Sequence, residues 1–180
     1  MTLVTDLPRT LLRSFDAEIK AASWFAALGE PLTDGNLAQA RTYASAVEVV
    51  GVTSWPEAEA FLKSPNASLD WWDREEALRK SMLAEAESRH PERALWTSLT
   101  ELTTEVGDLV HGKAATATAR AGNAAPASIH VAAGAASQAI YQLAVARLAG
   151  NDASLFESKF RLFAAGRWPL GIEGFRLFLF

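Results

Sequence analysis

Over most of this chain the apolar positions recur at helical rather than strand period. The clearest run is Leu95, Leu99, Leu102, Val106 and Leu109, whose spacings of 4, 3, 4 and 3 residues draw one stripe along a helix. Pro91 ends a fourth helix over about Asp70 to Arg89 and opens this fifth one, which reaches about Arg120. Before them, Asp6 caps a first helix that has Pro8 in its opening turn and runs to about Leu28, where Gly29 offers a left-handed stop. Thr33 or Asp34 caps a second helix to about Ala46. Ser54-Trp-Pro-Glu57 is a capping box with proline in the first turn, and starts a short third helix to about Lys63. Residues Ser64 to Ser68 read as a loop. Gly122-Asn123 breaks the chain, Pro126 opens a sixth helix that ends at Ala149-Gly150, and Asn151 or Asp152 caps a seventh that stops near Gly166.

The sixth helix carries two apolar stripes. One holds Ile129, Ala133, Ala136, Ile140 and Leu143; the other holds His130, Gly134, Tyr141, Val145 and Leu148. A helix apolar on two sides is surrounded by others, and small side chains let those neighbours approach closely. The sixth helix is therefore expected at the centre, packed on the seam of the fifth.

Two stretches depart from the helical pattern. Val47-Glu-Val-Val-Gly-Val52 is β-branched, and Gly174-Phe-Arg-Leu-Phe-Leu-Phe180 reads as a strand, too short and apolar to be a tail. A strand needs partners for its backbone groups. Three are at hand for the last segment: Trp168 to Ile172 as a hairpin arm, residues 47–52, or the same segment of another subunit. The expected fold is all-α, a single helical domain over residues 1–180 with about seven helices and a short extended aromatic C-terminal segment.

Composition narrows the function classes. With 180 residues, 49% of them hydrophobic, the chain can build one sizeable core. It contains no cysteine, which excludes disulfides, thiolate catalysis and cysteine zinc sites. A net charge of −4 and a pI near 5.4 weigh against nucleic acid as a partner. Lys159, Arg161, Arg167 and Arg176 against Glu157 and Glu173 make residues 153–180 only weakly basic. The N-terminal residues lack the basic start and apolar run of a signal peptide, so the cytoplasm is the expected compartment and the sequon Asn66-Ala-Ser68 carries no weight. No membrane span is expected either: the least polar stretch, Pro126 to Ala149, is largely alanine and is interrupted by His130, Gln138, Gln142 and Arg147.

Candidate chemistry is sparse. Gly107-Asp-Leu-Val-His-Gly-Lys-Ala114 has the spacing of a phosphate-binding loop, but alanine replaces the metal-binding hydroxyl. The segment also continues the clearest helical pattern, where amides bond one another and cannot cradle phosphate. Glu87-x-x-His90 and Asp108-x-x-His111 have the carboxylate–histidine spacing used in bundle metal sites. If the fourth and fifth helices fold back as a hairpin at Pro91, these pairs lie about 30 Å apart and cannot share an ion. Glu101, Glu105, Asp108 and His111 remain as a candidate metal site on one flank of the fifth helix. The alternative is that these acids pair with Arg74, Arg79 and Lys80 across the hairpin. His130, Tyr141, Trp71 and Trp72 are the candidate ligand-binding residues. Trp71 and Trp72 diverge by about 100° around a helix, so one can be buried while the other faces a groove or partner.

Seven of the seventeen aromatic residues fall in residues 156–180: Phe156, Phe160, Phe163, Trp168, Phe175, Phe178 and Phe180. They either close over the core or form an interface. The leading expectation is a non-enzymatic protein acting through protein contacts, a homo-oligomer joined through residues 156–180. The alternatives are a bundle that holds a small apolar ligand beside the sixth helix, or a metal-dependent enzyme using the fifth-helix carboxylates and His111. Nothing in the sequence names a cofactor.

Overall fold

The first helix, α1 (Leu7–Ala21), stops well before the expected Leu28. The physical reason is tertiary. The Trp24 indole turns back to donate to the Ile19 carbonyl at 2.8 Å, and Phe25 takes a left-handed φ of 59°, which sends both rings into the core. The computed structural model describes residues 7–45, 48–65, 67, 69–122 and 125–180. The expected cap Asp6, the helix end at Ala46, the strand start at Val47, the loop residues Asn66 and Ser68, and Asn123 of the chain break lie outside these.

The remaining elements follow their local chemistry closely, except that the seventh helix starts from Ser154 rather than from the expected cap Asn151 or Asp152. Helix α2 (Asp34–Ala44) is capped by Thr33, in a reciprocal box with Asn36. Helix α3 (Trp55–Leu62) has Ser54 as its cap and Pro56 in its first turn, and the Glu57 carboxylate accepts from the Thr53 amide. Then come α4 (Leu69–Arg89), α5 (Glu92–Arg120), α6 (Pro126–Leu148) and α7 (Leu155–Ala164). The described residues therefore hold seven helices, with a small sheet at the end. None of these helices is long and apolar enough to cross a membrane.

Helix α6 occupies the centre, packed by α5, α4, α7 and α1. Ala132, Ala136, Ala139, Ala144 and Ala146 are fully buried on it, as expected of a helix that neighbours must approach closely. The α5 seam runs through Leu95, Leu99, Leu102 and Val106 as expected, then continues through Val110 rather than Leu109. A straight helix drifts against a 3.5-residue repeat, so a longer seam must take a second four-residue step.

The hairpin of α4 and α5 at Pro91 does not form. Helix α4 lies along α6 and scarcely touches α5, which packs on α6 and α1 instead. Proline sets where one helix ends; the apolar faces decide where the next one goes.

The C-terminal strand uses two of its three expected partners at once. Strands β1 (Glu48–Gly51), β2 (Pro169–Glu173) and β3 (Arg176–Leu179) form one sheet in the order β1-β3-β2. β3 pairs in parallel with β1, Glu48 opposite Arg176, and antiparallel with β2, Glu173 opposite Arg176. Beyond the ladder, Phe180 and Trp168 exchange backbone hydrogen bonds. Apart from Phe175, the aromatics of this region pack inward: Phe160 and Phe163 meet Trp24 at ring distances of 5.7 and 5.6 Å, and Trp168 and Phe180 flank Trp55.

Arg167 joins the parts. It is 2% exposed, and its guanidinium donates to the carbonyls of Ala27, Glu30 and Pro31, each at 2.7 Å, and to Asn36 Oδ1 at 3.2 Å. Burial lowers its pKa from the ordinary guanidinium value, with the Glu30 charge opposing. Beside it, Gly166 adopts a φ of 84°, and a Cβ there would lie 2.8 Å from the Ala27 amide nitrogen. Arg167→Leu removes the shared donor of three part-buried carbonyls, while the Asn36 oxygen keeps the Thr33 amide. It is expected to cost about 3 kcal/mol in urea unfolding and to speed amide exchange at Ala27.

Candidate functional site

Helix α7 presents Phe156, Phe160 and Phe163 to the core, and Lys159 lies three residues after Phe156 on that same inward side. A lysine so placed must find partners inside. Its ammonium donates to Glu75 Oε2 on α4 at 2.7 Å and to Gln142 Oε1 on α6 at 3.0 Å. Tyr43 on α2 donates its hydroxyl to the other Glu75 oxygen at 2.6 Å, and the Trp71 indole donates to the Tyr43 oxygen at 3.0 Å. Lys159 is 7% exposed and Glu75 is 2% exposed. Four helices thus converge on one buried polar chain, in which opposite charges compensate each other. Gln142 Nε2 is left without a partner.

Burial raises the Tyr43 pKa well above the usual tyrosine value; the Glu75 charge and the bond to it add to the rise, and the Trp71 bond opposes it. The phenol is therefore held as a donor. Sequence reasoning missed this cluster, although one signal was present: Lys159 and Gln142 each interrupt an apolar helix face.

A second feature opens at the surface. The start of α1, the ends of α4 and α6 and the first turns of α7 enclose a cleft of about 770 Å³. Leu7, Leu11 and Leu148 supply its apolar wall; Arg89, Arg147, Arg161, Asp152 and Glu157 supply charges of both signs. Arg147 bridges Glu18 at 2.8 Å and Glu157 at 3.1 Å, and lies 4.5 Å over the Phe15 ring. The bond from Arg147 lowers the Glu18 pKa. Arg161 shares Glu157, and Arg89 pairs with Glu85. His90 also lines the cleft. Its Nε2 lies 2.8 Å from the Leu148 carbonyl, which can only accept, so that nitrogen carries the hydrogen. The buried Nδ1 has no partner.

The residues singled out from the sequence are dispersed. Trp71 is half-buried and joins the polar chain, whereas Trp72 beside it is exposed. Tyr141 is half-buried under the Arg79 guanidinium at 5.7 Å, and His130 is exposed near the start of α6. These four do not share a site. On α5, Glu101 pairs with Arg9 of α1 at 3.8 Å rather than with a base on α4, because the expected hairpin is absent. Glu105 lines a groove between α1 and α5, Asp108 is exposed, and His111 lies against the His130 ring. Among the described residues, no group of three or more histidine or carboxylate side chains is placed to hold a metal ion. Residues 107–114 lie wholly within α5, where their amides serve the helix. Glu87 is exposed while His90 turns inward.

No family model, curated protein or solved structure matches the chain.

Two outcomes test the buried chain. Lys159→Met leaves an uncompensated carboxylate and is expected to cost about 3–5 kcal/mol, largely restored when Glu75→Leu is added. Because the folded-state pKa of Tyr43 is raised, its contribution is complete below about pH 10 and is lost as pH rises past that value. Unfolding followed from pH 8 to 11 should therefore show a steeper alkaline loss in the wild type than in Tyr43→Phe.

Proposed function

We propose that the protein acts by binding rather than by catalysis, as a homo-oligomer whose subunits meet across the face that α1 presents beside the cleft. The observation that carries this reading is the pair Leu7 and Leu11, one helical turn apart, 52% and 42% exposed, on the wall of a cleft rimmed by arginines and carboxylates. Apolar side chains grouped at such a place favour a partner surface. Charges of both signs suit a two-fold contact in particular, since the same patch must then complement itself. The C-terminal segment contributes Glu157 and Arg161 to this face. Of its aromatic side chains, Phe175 at the β2–β3 turn is the one that stands 78% exposed; Phe156, Phe160, Phe163, Trp168 and Phe180 belong to the core. The strongly buried charges Glu75, Lys159 and Arg167 are each engaged in joining elements of the fold, which favours a structural use for them.

A small amphipathic ligand in the cleft is the second reading, favoured by the unpartnered Nδ1 of His90. Native mass spectrometry separates the two. The wild type is expected as a dimer, and the double variant Leu7→Glu, Leu11→Glu as a monomer that keeps the wild-type circular dichroism. A monomeric wild type carrying a ligand-sized mass would overturn the oligomer reading in favour of the second. A bare monomer at all concentrations would overturn both.

A further inference from the structure

His111 on α5 and His130 on α6 are exposed neighbours across the α5–α6 contact, with ring centroids 5.4 Å apart and planes inclined at 49°. That separation has a chemical meaning. A divalent transition metal binds an imidazole nitrogen at about 2.0–2.1 Å, which places the ring centroid about 3.2 Å from the metal. Two such rings at a tetrahedral angle then stand about 5.2 Å apart. Held by two different helices, the rings already have the spacing that joint ligation requires.

The surroundings leave room for the rest of a coordination shell. One turn from His111, away from the α5–α6 connection, is Gly107; one turn from His130 in the same sense is Gly134. A Cβ built on either glycine meets nothing within 4 Å, and the same is true of Gly112 beside His111. The rings therefore border an uncovered notch on the surface. We propose that His111 and His130 form a two-imidazole site for a divalent transition metal, tying α5 to α6 and leaving its other positions to water or to a ligand from outside the chain. Imidazole donors select zinc, copper or nickel over calcium and magnesium, which take oxygen. Since both rings are exposed, neither has to be drawn from the core to bind. An ion bound to both helices also favours the folded chain by mass action.

The test uses the full chain, stripped with chelator and titrated separately with Zn²⁺ and Cu²⁺ by calorimetry. One equivalent per chain is expected, with a rise in melting temperature. His111→Ala and His130→Ala, both at exposed positions, should keep the wild-type circular dichroism and each weaken binding by about 100-fold, the upper end of what changes around a metal's ligands cost. In the Cu²⁺ form, electron paramagnetic resonance should show coupling to two imidazole nitrogens in the wild type and to one in each variant. Binding that is absent, or unchanged by both substitutions (an adventitious ion only), would overturn the site.

Discussion

A guanidinium withdrawn from water and bonded to no carboxylate must be satisfied by whatever acceptors the chain can bring, and Arg167 imposes that demand on this fold. It meets it with three carbonyls from the stretch between α1 and α2 and one amide oxygen from the first turn of α2. The stretch is therefore shaped by the far end of the chain. Ala27 donates to the Gly166 carbonyl and Ser23 to that of Ala164, and Arg120 donates to the carbonyls of Phe25 and Ala26. With the backbone so fixed, Trp24 and Phe25 reach Phe160, Phe163 and Trp168. The polar anchor and the aromatic core are two aspects of one arrangement.

The Lys159–Glu75 pair follows the opposite logic. There the buried charges neutralise each other, and the gain must be set against the cost of removing both from water. Such pairs add little net stability over an apolar replacement; what they add is a penalty for any arrangement in which one partner is displaced. Around α6 that penalty matters. A helix lined with alanine offers its neighbours a smooth surface with few knobs to fix their register, and the chain from Trp71 through Tyr43 and Glu75 to Lys159 and Gln142 fixes α2, α4 and α7 against it.

Much of the fold was legible because helix ends are local chemistry. Pro126, Gly150 and Gly166 mark boundaries that the structure keeps, and α6 lies at the centre as its apolar stripes imply, although His130 and Gly134 of the second stripe are exposed. What could not be read was governed by distant contacts. Nothing near residue 22 in the sequence announces that Phe25 will take a left-handed turn to reach Trp168. Pro91 ends α4 without saying which helix it will lie on. The candidate sites show the same division. His111 and His130 stand out individually, yet only the register of α5 on α6 puts their rings side by side. Lys159 is visibly out of place on an apolar face, but its partner Glu75 looks like one more acid on a charged helix.

The parallel pairing of β1 with β3 joins residues 48–51 to residues 176–179. During synthesis on the ribosome, β1 and the helices before it emerge long before their strand partner exists. Until Leu179 has been added, β1 remains an open edge, able to pair with the wrong chain. The order in which the molecule matures is thereby set: helices can form as they appear, but the sheet is sealed only once residues 176–179 have been made.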